Sequence, residues 1–244
     1  MKGTWCAHTP EEITRLRRQL YPSGFTVRPI AEQVRDLAAV LSLEPDEALR
    51  CAARMSEELP HGADGLFAML EPDAFGSVDA TLSVLLAMLR ERRPFFGFVA
   101  NELGPVQLRQ DERTMRAFGQ VSKGQAGPIV VVPAQLGIMY AGRTAENALT
   151  MLDPNEFALG PAEVCSMILT HPSWSQHIER FQVLCPGARY MRRSAFDSRD
   201  GEFVPRFGDD EVVYDAVTMR YVRPFAGMAT GFLQTAVDLS GPGV

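Results

Sequence analysis

Leu89-Arg90-Glu91-Arg92-Arg93-Pro94-Phe95-Phe96-Gly97-Phe98-Val99-Ala100 is where the chain changes character. Upstream, Val78, Leu82, Leu85, Leu86 and Leu89 recur at helical spacing, and Val84 and Met88 widen the stripe. Ser77 is placed to cap that helix. Arg90, Arg92 and Arg93 suit the negative end of its dipole, and Pro94 cannot continue it. Downstream, Phe95 to Ala100 is aromatic and β-branched and is bounded by Pro94 and Gly104-Pro105, which predicts a strand.

Toward the N-terminus everything reads as helix. Thr9-Pro10-Glu11-Glu12 has the form of a capping box with proline at the first helical position. Ile13, Leu16 and Leu20 follow, and Pro22-Ser23-Gly24 breaks the helix. Ile30, Val34, Leu37, Ala38 and Leu41 form a second stripe. Pro45 opens a third helix, with Ala48, Leu49, Ala52, Met55 and Leu59 as its stripe and Pro60-His61-Gly62 as its stop. Leu66 to Leu70 fits either helix or strand.

Toward the C-terminus strands dominate. Asp111 to Val121 reads as a short helix, Ile129 to Val132 as a buried strand, and Gln135 to Ala141 as a further strand after Pro133. Thr144 caps a helix through Leu152. Pro161 starts another, with Val164, Met167 and Ile168 facing inward, and His171-Pro172 ends it. Phe181 to Cys185, Phe203 to Phe207, Glu211 to Val217 and Met219 to Phe225 read as strands. Strands that cluster late, without regular alternation with helices, point to an α+β fold. The expected organisation is a helical N-terminal part (1–93) followed by an α+β part (94–244) built on a mixed, mainly antiparallel sheet with helices.

Bulk composition narrows the function classes. With 244 residues, 46% hydrophobic and 22% charged, the chain can bury a core without disulfide or metal staples. The net charge of −6 disfavours anionic membranes and nucleic acid as partners. Lys2 and Lys123 are the only lysines. That Arg bias fits GC-rich coding of the bacterial kind better than dedicated phosphate recognition, since no segment is densely basic. Cys6, Cys51, Cys165 and Cys185 form no CxxC pair, so free thiols in a reducing compartment are expected. No apolar run approaches the ~20 residues of a spanning helix, and Met1 to Pro10 lacks the apolar stretch of a signal peptide. The expected location is cytoplasmic, with no membrane partner.

The chemical motifs are mostly excluded. There is no GxGxxG and no GxxxxGK[ST]. Ser122-Lys123-Gly124-Gln125-Ala126-Gly127 precedes a strand, where a phosphate loop must precede a helix. No GxSxG nucleophile elbow occurs. Cys165 lies in an apolar helix, and His171, six residues on, falls on a different face. His171 and His177, with Glu163 and Glu179, match no zinc spacing, and Cys6-Ala7-His8 is at most an adventitious chelator. Neither metal nor cofactor is expected. Asp197 with Asp200, and Asp209-Asp210-Glu211, have the composition of turns. The helical pair 30–41 and 45–59 has helix-turn-helix form, but its acids outnumber its arginines.

Two polar stretches remain as anion-binding candidates. Arg189-Tyr190-Met191-Arg192-Arg193 interleaves bases with an aromatic. Arg143-Thr144 sits at a strand-to-helix junction, where Arg143 beside a helix start suits an anion. The candidate contacts are therefore Arg143, Thr144, Arg189, Arg192 and Arg193; no catalytic residue is assigned. The leading functional expectation is a non-enzymatic binding or protein-interaction protein. The alternatives are an enzyme acting on a small anionic substrate, and a nucleic-acid-binding regulator using the 30–59 helical pair.

Overall fold

The computed structural model describes residues 8–21, 24–56, 58–92, 95–97, 108–175, 181–192, 201–208 and 212–234. The expected α+β architecture is what it shows. Three helices lead: α1 (Pro10–Leu20), α2 (Ile30–Leu41) and α3 (Asp46–Ala52). The capping box at Thr9 forms in full, with Thr9 Oγ1 accepting from the Glu12 N–H and Glu12 accepting from the Thr9 N–H. After β1 (Gly65–Leu70) comes α4 (Val78–Arg92), whose Leu82, Leu85 and Leu89 are buried as their spacing requires. Then follow β2 (Phe95–Gly97), β3 (Leu108–Gln110), α5 (Glu112–Gly124), β4 (Ile129–Gln135), α6 (Ala145–Thr150), β5 (Glu156–Ala158), α7 (Pro161–Thr170) and the single turn α8 (Pro172–Ser175). The C-terminal strands are β6 (Gln182–Leu184), β7 (Ala188–Arg192), β8 (Gly201–Gly208), β9 (Val212–Thr218), β10 (Ala226–Met228) and β11 (Thr230–Phe232).

The strands form two sheets. One has the order β1-β4-β11-β5 and is antiparallel throughout. The other runs β10-β6-β8-β7-β3, with β9 paired to β8 and β2 to β9; its β10–β6 and β2–β9 pairs are parallel. β1 lies in the helical part and pairs with β4, so the two parts share a sheet. One hydrophobic cluster runs from Ile13 on α1 to Phe232 on β11. At its centre all ten residues of α7 are buried, against β1, α2 and α4.

Among the described residues no strand pairs with the outer edge of β1, and side chains bond to it instead. Gln33, fully buried on α2, donates through Nε2 to Leu66 O (2.9 Å) and accepts at Oε1 from Ala68 N–H (3.1 Å). Ser166 Oγ on α7 accepts from Leu70 N–H (3.2 Å). These bonds satisfy main-chain groups that would otherwise be buried without partners.

Four elements differ from their sequence reading. The third helix stops at Ala52 instead of running to Leu59. Its end tightens into i→i−3 bonds, Arg54 N to Cys51 O and Met55 N to Ala52 O, which carry Met55 and Leu59 off the stripe. β4 runs through Pro133 to Gln135. Glu71 N–H donates to Pro128 O, which places the hydrogen-bonded β1–β4 pairs at 69/130, 67/132 and 65/134, so β1 asks nothing of the missing Pro133 N–H. Residues 135–141 do not continue as a strand. Gly137 turns the chain at φ +112°, into a 3₁₀ turn at Ile138–Tyr140. The backbone of Gly227 packs so closely there that a Cβ on it would lie 2.1 Å from Gly137 O. Finally, Met219 to Phe225 forms turns, closed by Tyr221 N to Thr218 O and Ala226 N to Arg223 O, and the strands follow it as β10 and β11. The strand expected at 98–100, Asp197, Asp200, the 209–211 acids, His177, Glu179 and Arg193 lie outside the described residues.

Candidate anion-binding cavity

Antiparallel pairing of β3 and β7 places Arg109 directly opposite Arg189. Two like charges facing each other across a strand pair repel, so the arrangement needs a counter-charge. Asp111 supplies it. Its Oδ2 accepts from Arg189 Nη2 at 2.7 Å, while its Oδ1 caps α5 by accepting from Arg113 N–H (2.9 Å) and Thr114 N–H (3.4 Å). Asp111 N–H is in turn held by Gly187 O. One carboxylate thus joins the start of α5 to β7.

From that cap, α5 projects two further arginines. Arg113 and Arg116 are three residues apart and so share a helix face. Arg113 Nη2 donates to the carbonyl of Asp153, which steers its guanidinium; Arg109 and Arg116 are exposed. Arg109, Arg113, Arg116 and Arg189 line one cavity of about 360 Å³, with Asp111 and Glu112 as its acids. Four guanidinium groups against two carboxylates, one of them already shared between a cap and an ion pair, leave positive charge concentrated in a protein of net charge −6. Guanidinium forks hold carboxylate and phosphate oxygens in bidentate fashion.

The anion candidates from sequence separate here. Arg189 lies in this cavity. Thr144 caps α6, accepting from Asn147 N–H at 3.1 Å, and Arg143 stands beside it without lining the cavity. Arg192 is on β7. Arg109, Arg113 and Arg116 were not singled out from sequence. Their spacing of four and three around a capping Asp was the available signal, but Arg189 joins them only through strand register.

Several other buried polar groups are engaged in holding the fold. Glu156 accepts from Thr230 Oγ1 (2.6 Å) and Tyr140 Oη (2.7 Å), and Thr230 accepts from Gln135 Nε2 (2.9 Å). Burial raises the Glu156 carboxyl and the Tyr140 phenol above their ordinary ranges. His171 Nε2 accepts from Arg28 N–H at 3.1 Å and its Nδ1 lies 2.9 Å from Met167 O, so it is not paired with Cys165. Burial pushes the Cys165 and Cys185 thiols up, away from the thiolate form a nucleophile needs. Among the described residues no group of three or more His, Cys, Asp or Glu is placed to hold a metal ion, and no helix is long and apolar enough to cross a membrane. Comparison with protein-family models, with curated proteins and with solved structures finds no match to this chain.

Proposed function

We propose that the protein is a non-enzymatic binding protein whose ligand is a small multivalent anion seated in the cavity between α5 and β7. The observation that carries this reading is the convergence of Arg109, Arg113, Arg116 and Arg189 on one cavity. Its volume suits a phosphate-sized or citrate-sized group better than a polymer. A catalytic role has less support: the cavity's lining holds no histidine, and Asp111 is committed to its cap and to Arg189. Nucleic-acid reading by the α2–α3 pair is also less supported, because Glu47 takes up Arg50 on the short third helix and Arg54 just beyond its end.

Calorimetric titration with inorganic pyrophosphate and with citrate tests the proposal. Binding is expected at low ionic strength, weakening as salt is raised. An Arg109→Ala/Arg116→Ala double variant alters two exposed side chains. It is expected to weaken binding at least tenfold, since each charge-assisted hydrogen bond lost is worth about 1.5–3 kcal/mol. Absence of binding to the wild type, or an unchanged affinity in the double variant, would refute the assignment.

A further inference from the structure

A second cavity, of about 380 Å³, opens where the first sheet runs out of strand. The register of β11 on β4 covers Gln135 and Ala134, and Leu233 N–H then bonds to Asn155 O, toward β5. Val131, further back on β4, turns its N–H and C=O away from β1, and among the described residues no strand pairs with it on that side. The side-chain amide of Gln125, at the end of α5, bonds both groups instead. Val131 N–H donates to Gln125 Oε1 (2.8 Å), and Gln125 Nε2 donates to Val131 O (2.7 Å). One amide is far shorter than a strand. Space therefore remains between β4, the end of β11, the last turn of α5 and the turn that follows α3.

Met55, Val121, Val131 and Phe232 give this cavity apolar walls. Against them stands an unpaired polar group. Gln234 Nε2 is buried and has no hydrogen-bond partner, and native proteins seldom leave such a donor unpaired. Gln125 is committed to Val131, and the Cys51 thiol donates to Glu47 Oε1 at 3.5 Å. Arg54 also lines the cavity and is loosely held. Its side chain is 62% exposed, it lies 3.8 Å from a Glu47 that has Arg50 at 2.6 Å, and its contact with Cys51 Sγ is 3.4 Å.

Small-molecule sites of this size combine apolar walls with a few fixed polar groups. The orphan group here is a donor, and the loosely held one is a cation. We infer that the cavity binds a medium-chain fatty acid, its chain packed on Met55, Val121, Val131 and Phe232 and its carboxylate accepting from Gln234 Nε2 and from Arg54. A hydrocarbon alone would leave the donor unpaired. An ammonium head accepts no hydrogen bond and meets Arg54 as a like charge. A small inorganic anion would leave the apolar walls uncovered. This site shares no lining residue with the arginine cavity and does not depend on its assignment.

Octanoate is the probe, with octylamine as the control for its head and acetate as the control for its chain. Calorimetry on the intact chain should show octanoate binding at least about tenfold more tightly than either control. Gln234→Leu keeps the bulk of the side chain and removes the donor, while Arg54→Glu reverses an exposed charge. Each is expected to weaken octanoate at least about tenfold, with a circular dichroism spectrum and thermal midpoint close to those of the wild type. Three results would each overturn the inference: octanoate does not bind at millimolar concentration, acetate or octylamine matches it, or either variant binds octanoate as well as the wild type does.

Discussion

A Gln33→Leu variant is expected to lose about 3–5 kcal/mol of folding free energy, although the new side chain is apolar and of similar volume. Gln33 closes the outer edge of β1: its Nε2 donates to Arg28 O (2.7 Å) and Leu66 O (2.9 Å), and its Oε1 accepts from Ala68 N–H (3.1 Å). Leucine removes all three bonds and leaves their main-chain partners in place. Ala68 is fully buried, so no water replaces the lost partner. Each buried group left unsatisfied costs about 1–3 kcal/mol. A hydrophobic gain from leucine does not offset two or three of these. Ser166→Ala removes the acceptor of Leu70 N–H and the hydroxyl bond to Ala162 O, and leaves Leu70 N–H as the unsatisfied group; it should cost about 1–2 kcal/mol on the same reasoning. Urea unfolding, with the slope of free energy on denaturant unchanged, measures both. A loss below about 1 kcal/mol for Gln33→Leu would mean that β1's edge finds other partners, contrary to the geometry.

What was legible in the sequence was local. The stripe on α4, the Thr9 and Thr144 caps, the Pro161 helix start and the Ile129 strand each sit in a few adjacent residues, and each forms. Leu66 to Leu70 was ambiguous for a physical reason. A strand packed by α2 and α7 and paired with β4 is apolar on both faces, so its period of two vanishes. Gln33 was unreadable for the same reason: one polar residue on an apolar helix face reveals a role only once β1 is known to lie beside it. At the candidate site, Arg109, Arg113 and Arg116 were visible as a spacing. Their union with Arg189 depends on the β3–β7 register across about eighty residues of chain, which no local pattern encodes. Arg143 illustrates the converse. Its junction reads as an anion site, yet Thr144 already caps the helix there.

Two buried groups should act on stability in opposite directions as pH changes, and single substitutions should separate them. Glu163 sits in the first turn of α7 with its Oε2 buried and unpartnered. Burial raises its carboxyl to about 7, against 4.5 in the unfolded chain, only partly countered by the main-chain N–H groups of Glu163 and Gly160. A folded value above the unfolded one gives stability that is full below 4.5 and lost as pH rises through 7. At about 1.4 kcal/mol per pH unit the loss reaches about 3 kcal/mol. His171 runs the other way. Burial, aided by the nearby Arg28 charge and opposed by the Met167 carbonyl, lowers it to about 4 from 6.5. Its contribution is full above 6.5 and is lost as pH falls through 4, again by about 3 kcal/mol. Between about 4.5 and 6.5 the two slopes cancel, so the wild type hides both. Asp64 and Glu156 are also raised by burial and add to the decline at higher pH. Comparison with the wild type therefore isolates each group. Glu163→Gln removes the falling limb: relative to wild type its stability should climb by about 3 kcal/mol from pH 4.5 to 8. His171→Gln retains an acceptor for the Arg28 N–H and removes the rising limb, so its relative stability should climb as pH drops from 6.5 to 4. Denaturant midpoints measured across that range decide the matter, and a difference between Glu163→Gln and wild type that stays flat with pH would show that Glu163 keeps an ordinary carboxyl in the fold.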